Sequence, residues 1–169
     1  MLTQARLKEL LHYDPETGGF TWRADRRGHR NIRAGDVAGH KTPKGYVVIG
    51  IDGKVYKAHR LAWLYLYGAW PAEGIDHRFG VSAGDGVGNL REATHAQNAH
   101  NQHRAQRNNR SGLLGASWYG RDGTWRAKIV VGGKQKHLGC FATPEAAHEF
   151  YLLAKAMLHP FSSLAGSAS

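Results

Sequence analysis

Apolar residues recur at Leu2, Leu7, Leu10 and Leu11, a roughly helical spacing, and Thr3 stands where an N-cap belongs. The pattern predicts a short amphipathic helix over 2–11, then a turn at Tyr13-Asp14-Pro15-Glu16-Thr17-Gly18-Gly19 and a strand at Phe20-Thr21-Trp22-Arg23. Residues 23–44 lack hydrophobic periodicity and are read as a loop or arm. From 45 to 57 the pattern is that of a hairpin: Tyr46-Val47-Val48-Ile49-Gly50-Ile51 and Val55-Tyr56-Lys57 flank Asp52-Gly53. Residues 58–67 are apolar at helical spacing (Leu61, Ala62, Leu64, Tyr65), with Gly68 as a natural stop. Thr94-His95-Ala96-Gln97 has the form of a capping box and predicts a helix that carries Asn98 and Asn101 and runs toward Arg104.

The pattern changes after a polar stretch at 102–111, which reads as a linker. Strands are expected at 115–119, 124–131 and 135–141, with turns at Arg121-Asp122-Gly123 and Gly132-Gly133. Thr143-Pro144 then opens a helix whose buried face should be Ala146, Ala147, Phe150, Tyr151, Ala154 and Leu158, ending at His159-Pro160. Three strands need a cover on their apolar face, and this helix supplies it.

At 169 residues the chain could form one domain or two small ones. Lys and Arg number 23 against 13 Asp and Glu, a net charge of +10, which favours nucleic acid or another anionic surface as partner. Residues 23–44 alone hold seven Lys/Arg against two Asp, so the arm is basic. Cys140 is the sole cysteine, so no internal disulfide and no Cys-x-x-Cys zinc knuckle can form. Nothing reads as a signal peptide or a membrane span, and the expectation is a soluble, intracellular, cytoplasmic protein.

Ile75-Asp76-His77 carries the chemistry, with Asn89 and Asn98 lying 13 and 22 residues beyond Asp76. A carboxylate and an amide oxygen suit a hard divalent cation, which keeps most of its waters and needs only one or two protein ligands. A neutral imidazole can take a proton from water. On a strand, neighbouring side chains face opposite ways, so Asp76 and His77 would have to approach a phosphate from different sides or across a bend. Arg91 could support a transition state or form a structural salt bridge. His59 is read as packing or hydrogen bonding rather than chemistry. His95, His100 and His103 make no tidy metal face and are read as solvated or touching phosphate. His137, on a strand, should face DNA or solvent.

Ala58-His59-Arg60-Leu61-Ala62-Trp63, Ile75-Asp76-His77, Asn89-Leu90-Arg91-Glu92-Ala93-Thr94 and Gln97-Asn98 together resemble the HNH endonucleases, most closely the phage and intron-encoded homing type. The likeness spans residues 1–103. It implies a ββα-metal site with His77 as general base, Asp76 and Asn98 as ligands of one Mg²⁺ or Mn²⁺ ion, and Asn89 as a catalytic-site residue bracing the loop and the histidine. The third motif letter is Asn98 rather than His. The loop 78–88 keeps the family's length but not the polar Asn-Gly-Asp and Asp-Asn-Arg residues usual there.

In the C-terminal part, Arg126 and Lys128 alternate with Trp125, Ala127, Ile129 and Val131, giving one basic and one apolar face. Ser111-Gly112, Gly115, Trp125-x-Ala127-x-Ile129, Gly133-Lys134 and Leu138-Gly139-x-Phe141-x-Thr143-x-Glu145-Ala146-Ala147 resemble the plant ethylene-response-factor type DNA-binding domain. The first-strand arginines that plant members use on DNA are replaced here by Ser117, Trp118 and Tyr119.

The fold class expected is therefore α+β: an HNH ββα-metal nuclease domain at 1–103 (basic arm 23–44, metal site 75–98), a basic linker at 104–110, and a three-stranded antiparallel sheet packed on one helix at 111–161, followed by a flexible tail at 162–169. The function expected is metal-dependent hydrolysis of DNA phosphodiesters on double-stranded DNA, leaving 5′-phosphates as the family does. One active site per chain favours nicking by a monomer, with a dimer and double-strand cleavage as the alternatives. Arg104, Arg107, Arg110, Arg121, Arg126, Lys128, Lys134 and Lys136 are the candidate DNA contacts. The alternative is a non-catalytic, sequence-specific DNA-binding regulator on the same scaffold.

Overall fold

The computed structural model describes residues 1–26, 31–102, 105–159 and 161–162. The chain divides into two compact units, Met1–His95 and Ala96–Ser169. The division falls ahead of the expected 103/104 boundary and puts the segment 105–110 inside the second unit.

In the first unit, α1 (Gln4–Leu10) starts where Thr3 accepts a hydrogen bond from the Arg6 amide. It stops earlier than the leucine spacing suggests. Leu11 turns extended and opens β1 (Leu11–Tyr13), which pairs with β2 (Phe20–Trp22) across the predicted turn. The basic stretch is more than an arm. Its described part contributes β3 (His40–Lys41) and the buried Ala38, and it bridges β2 through Thr21 and Val37. β4 (Val47–Ile51) and β5 (Lys54–Lys57) form the expected hairpin, with β3 on the outer edge of β4. Its turn places Asp52 and Gly53 at positive φ, as a two-residue hairpin requires. Then α2 (Ala58–Tyr67) ends at Gly68 as predicted. β6 (Gly74–His77) pairs antiparallel with β7 (Leu90–Ala93), matching Asp76 with Arg91 and His77 with Leu90.

Leu7, Leu11, Ile49, Ile51, Leu61 and Leu64 fill the core between α1, α2 and the sheets, each essentially removed from water. At about 25 cal/mol per Å² of apolar surface, each such side chain contributes roughly 1.5–3 kcal/mol toward holding the unit together. Ile75 and Leu90 join the same cluster and thereby tie β6 and β7 to it.

The second unit carries most of α3 (His95–His100), which begins directly after Thr94 but stops at His100 rather than running to Arg104. β8 (Ala116–Tyr119), β9 (Thr124–Val131) and β10 (Lys134–Phe141) form one antiparallel sheet with β9 in the middle. α4 (Pro144–Leu158) covers it, and its N-terminus is capped by Thr143 with proline in the first turn. The helix is rotated from the expected face. Ala147, Tyr151 and Lys155 are buried, whereas Phe150 and Leu158 are exposed. A cation in an i+4 apolar stripe hides from any periodicity argument. Here the Lys155 ammonium donates to the Gln102 carbonyl. Tyr151 lies flat against Gly115, where a Cβ would sit 2.0 Å from its ring, so only glycine fits. Asn109 organises the expected linker: its amide donates to the Leu113 and Ala116 carbonyls while its oxygen accepts from Ser111.

Candidate active site

Asp76 and His77 are consecutive on β6, so their side chains leave opposite faces of the strand. Both are buried, at 5% exposure each, and each meets different chemistry. On one side, Arg91 Nε and Nη2 both donate to Asp76 Oδ2, at 3.0 and 2.8 Å. The cross-strand register that pairs the two residues makes this ion pair, and it compensates a carboxylate that would otherwise be costly to bury.

On the other side, His77 Nε2 lies 2.6 Å from Asp85 Oδ1. A carboxylate oxygen only accepts, so Nε2 carries the proton of this bond, and in the neutral ring the acceptor lone pair falls to Nδ1. His59, from the first turn of α2, brings Nδ1 to 3.9 Å from the same Asp85 oxygen. Its ring meets the His77 ring edge to face, with centroids 4.9 Å apart, and the Tyr46 ring lies against both. Burial, with the neighbouring His77 adding to it, pushes the His59 pKa down to about 4 despite the opposing pull of Asp85. This imidazole is therefore neutral at neutral pH. Its Nδ1 is buried and has no hydrogen-bond partner.

Asp85 stands on an irregular loop, and the chain holds that loop from two directions. Asn89 accepts from the Phe79 amide and donates to the carbonyls of Gly80 and Gly84, closing 79–89 into a fixed arc. From outside, the turn 13–19 presses on it: Tyr13 Oη donates to the Asp85 carbonyl and the Val87 amide donates to the Pro15 carbonyl. Gly18, at φ +76°, packs so tightly that a Cβ there would lie 2.2 Å from the Asp85 carbonyl carbon. Asn89 and the N-terminal turn thus hold the loop from two sides.

Asp85 was not singled out by the sequence, and His59 was read as packing or hydrogen bonding; its ring does pack against His77 and Tyr46. The available signal for Asp85 was its being the one carboxylate between His77 and Arg91. For His59 it was a polar residue within the buried stripe of α2. Asn98 lies half-buried on α3, in the second unit, with its carbonyl accepting from the Asn101 amide.

Among the candidate DNA contacts, Arg104 lies outside the described residues. Arg107, Arg110, Arg121, Lys134 and Lys136 are exposed. Arg126 folds back over the Tyr119 ring and toward Asp122. The register separates the lysines. Lys128 stands opposite His137, on the face away from α4, whereas Lys134 and Lys136 stand opposite Val131 and Ile129, on the helix side. The face away from α4 borders an open polar groove of about 570 Å³, lined in part by Gln106, Asn108, Arg110, Ser117, Lys128 and Gln135. His137 is exposed, in line with expectation, but His100 is not simply solvated: it stacks on His159 at 3.9 Å.

Residues 56–100 match the family model described as HNH endonuclease. The matched stretch contains His59, Asp76, His77, Asp85, Asn89, Arg91 and Asn98. The match supports a nuclease, with DNA as its substrate. No curated protein and no solved structure matches the chain. Among the described residues, no helix is long and apolar enough to cross a membrane.

Proposed function

We propose that the chain is a divalent-metal-dependent HNH endonuclease of the homing type that hydrolyses DNA phosphodiester bonds, with His77 as its general base. The observation that carries this reading is the buried bond from His77 Nε2 to Asp85 within the stretch that matches the HNH family. A base must present a lone pair in a fixed direction. Asp85 holds the ring in the tautomer whose lone pair is on Nδ1, the atom that would take a proton from the attacking water. Asn89 fixes the loop on which Asp85 stands, and Arg91 orients the Asp76 carboxylate through two hydrogen bonds.

Asp76 and Asn98 would hold one Mg²⁺ or Mn²⁺ ion. The fit rests on donor chemistry: a buried carboxylate and an amide oxygen are hard donors. When bound, such an ion supplies charge stabilisation to the phosphate and to the departing 3′ oxygen. The second unit holds the duplex in this reading, which rests on its sheet-and-helix architecture, the likeness to the ethylene-response-factor type and the basic groove beside Lys128 and Arg110.

The test is supercoiled plasmid with Mg²⁺. Wild type should nick or linearise it and leave 5′-phosphate ends, and His77→Ala should not. Equal inactivity of both proteins, with DNA binding retained, would establish the non-catalytic DNA-binding reading instead.

A further inference from the structure

We infer that His59, His77 and Asp85 form a second metal site, for a borderline cation of the Zn²⁺ or Co²⁺ type, separate from the oxygen-donor pair Asp76 and Asn98, and that filling it switches off His77 as a base. The three residues offer one ligand atom each, and these atoms all lie within 4.8 Å of one another. Two imidazoles and one carboxylate are a donor set for zinc-like ions, whereas magnesium selects oxygen. All three residues are buried, at 4–7% exposure. The second observation is His59 Nδ1, a buried polar atom with no hydrogen-bond partner that faces the Asp85 carboxylate. An orphaned buried polar nitrogen is costly in a native interior and calls for a reason. A ligand lone pair held ready is such a reason.

The geometry needs modest adjustment. Tetrahedral ligation at about 2.0–2.1 Å sets donors about 3.3 Å apart, so the 2.6 Å His77–Asp85 pair must part by about 0.7 Å and the 3.9 Å His59–Asp85 pair must close by about 0.6 Å. The His59–His77 donor pair, within 4.8 Å, must close as well, by up to about 1.5 Å, and rotation of the three side chains has to supply these shifts. The consequence for His77 follows from proton bookkeeping. A cation on Nε2 displaces the proton that Asp85 accepts there, and in the neutral ring that proton moves to Nδ1. Nδ1 then presents an N–H where water needs a lone pair. This second half of the inference rests on His77 being the base, whereas the binding itself does not.

The experiment is titration of the full-length protein with Co²⁺ in the absence of Mg²⁺, read by the visible ligand-field bands of tetrahedral cobalt. We expect one equivalent to bind with those bands, Zn²⁺ to displace it, and His59→Gln and Asp85→Asn each to weaken binding by more than about 100-fold, beyond the cost of losing an outer partner of a ligand. Circular dichroism and thermal melting of each variant establish that it is folded, and Asp76→Asn should retain the cobalt spectrum. Zn²⁺ should then inhibit plasmid cleavage in Mg²⁺, and less so in His59→Gln. Octahedral or absent bands, or binding that survives His59→Gln and is lost in Asp76→Asn, would overturn the site. A normal cobalt spectrum without zinc inhibition of an active enzyme would overturn the switch alone. A cobalt site on a protein that never cleaves DNA would instead sink the nuclease reading and leave the metal site standing.

Discussion

His77 Nε2 and Asp85 Oδ1, both on buried side chains, are 2.6 Å apart, and the two residues lie eight positions apart in sequence. The pair sets which nitrogen of His77 can accept a proton. Asp85→Asn should therefore lower kcat by roughly 10²-fold or more while leaving DNA affinity near wild type, because the amide can donate to Nε2 and hold the wrong tautomer. Single-turnover cleavage paired with fluorescence anisotropy separates the two effects. Parallel loss of binding and rate would point to a merely structural role.

Gly18 is the position at which the N-terminal turn touches the Asp85 loop. Gly18→Ala adds a methyl group 2.2 Å from the Asp85 backbone at a φ that alanine resists, so overpacking and strain act together. The expected cost is about 2–4 kcal/mol, read from urea unfolding. The substitution should also reduce cleavage, since the loop must shift to make room. A fully stable variant would show that the turn yields more readily than its packing indicates.

Arg91→Gln leaves the buried Asp76 carboxylate without its cation. Breaking one partner out of such a pair costs about 3 kcal/mol. Mg²⁺ should recover part of this, so the rise in Tm on replacing EDTA with Mg²⁺ should be larger in the variant than in wild type. An equal rise in both proteins would argue against a cation at Asp76.

Lys155 is a pH probe of the second unit. Burial holds its pKa below the ordinary 10.5. Between the folded and unfolded values the unfolded chain binds more protons, so stability rises with pH across that window. Relative to Lys155→Met, wild type should gain Tm as pH climbs toward 10.5. Melting curves of the two proteins at matched pH steps measure the difference, and a constant gap would mean that the ammonium pays no desolvation cost.

Much of this was legible in the residues. α2 and β9 match their predicted bounds because period and punctuation agree: Gly68 stops one and paired glycines close the other. Asp76, His77 and Asn89 stand out through the residues that resemble the HNH endonucleases. Asp85 does not, because its loop has no period and two of its supports, Tyr13 and Gly18, belong to a turn far upstream. The burial of Lys155 and the exposure of Phe150 were illegible for a related reason. Helix patterning assumes that apolar residues mark the inner face, whereas here Lys155 lies buried with its ammonium donating to the Gln102 carbonyl.

The bond from Tyr13 to Asp85 spans 72 residues. Closing so long a loop is slow compared with forming the α2 helix or the β4–β5 hairpin, and its entropic cost must be met before the contact gives anything back. The Asp85 support of His77 therefore depends on a contact between distant parts of the first unit. A fragment restricted to residues 56–100 would keep every residue of the family match and still lack the turn that holds Asp85 in place. In the proposed reading the support of His77 belongs to the finished first unit, so the nascent or partly unfolded chain would lack it.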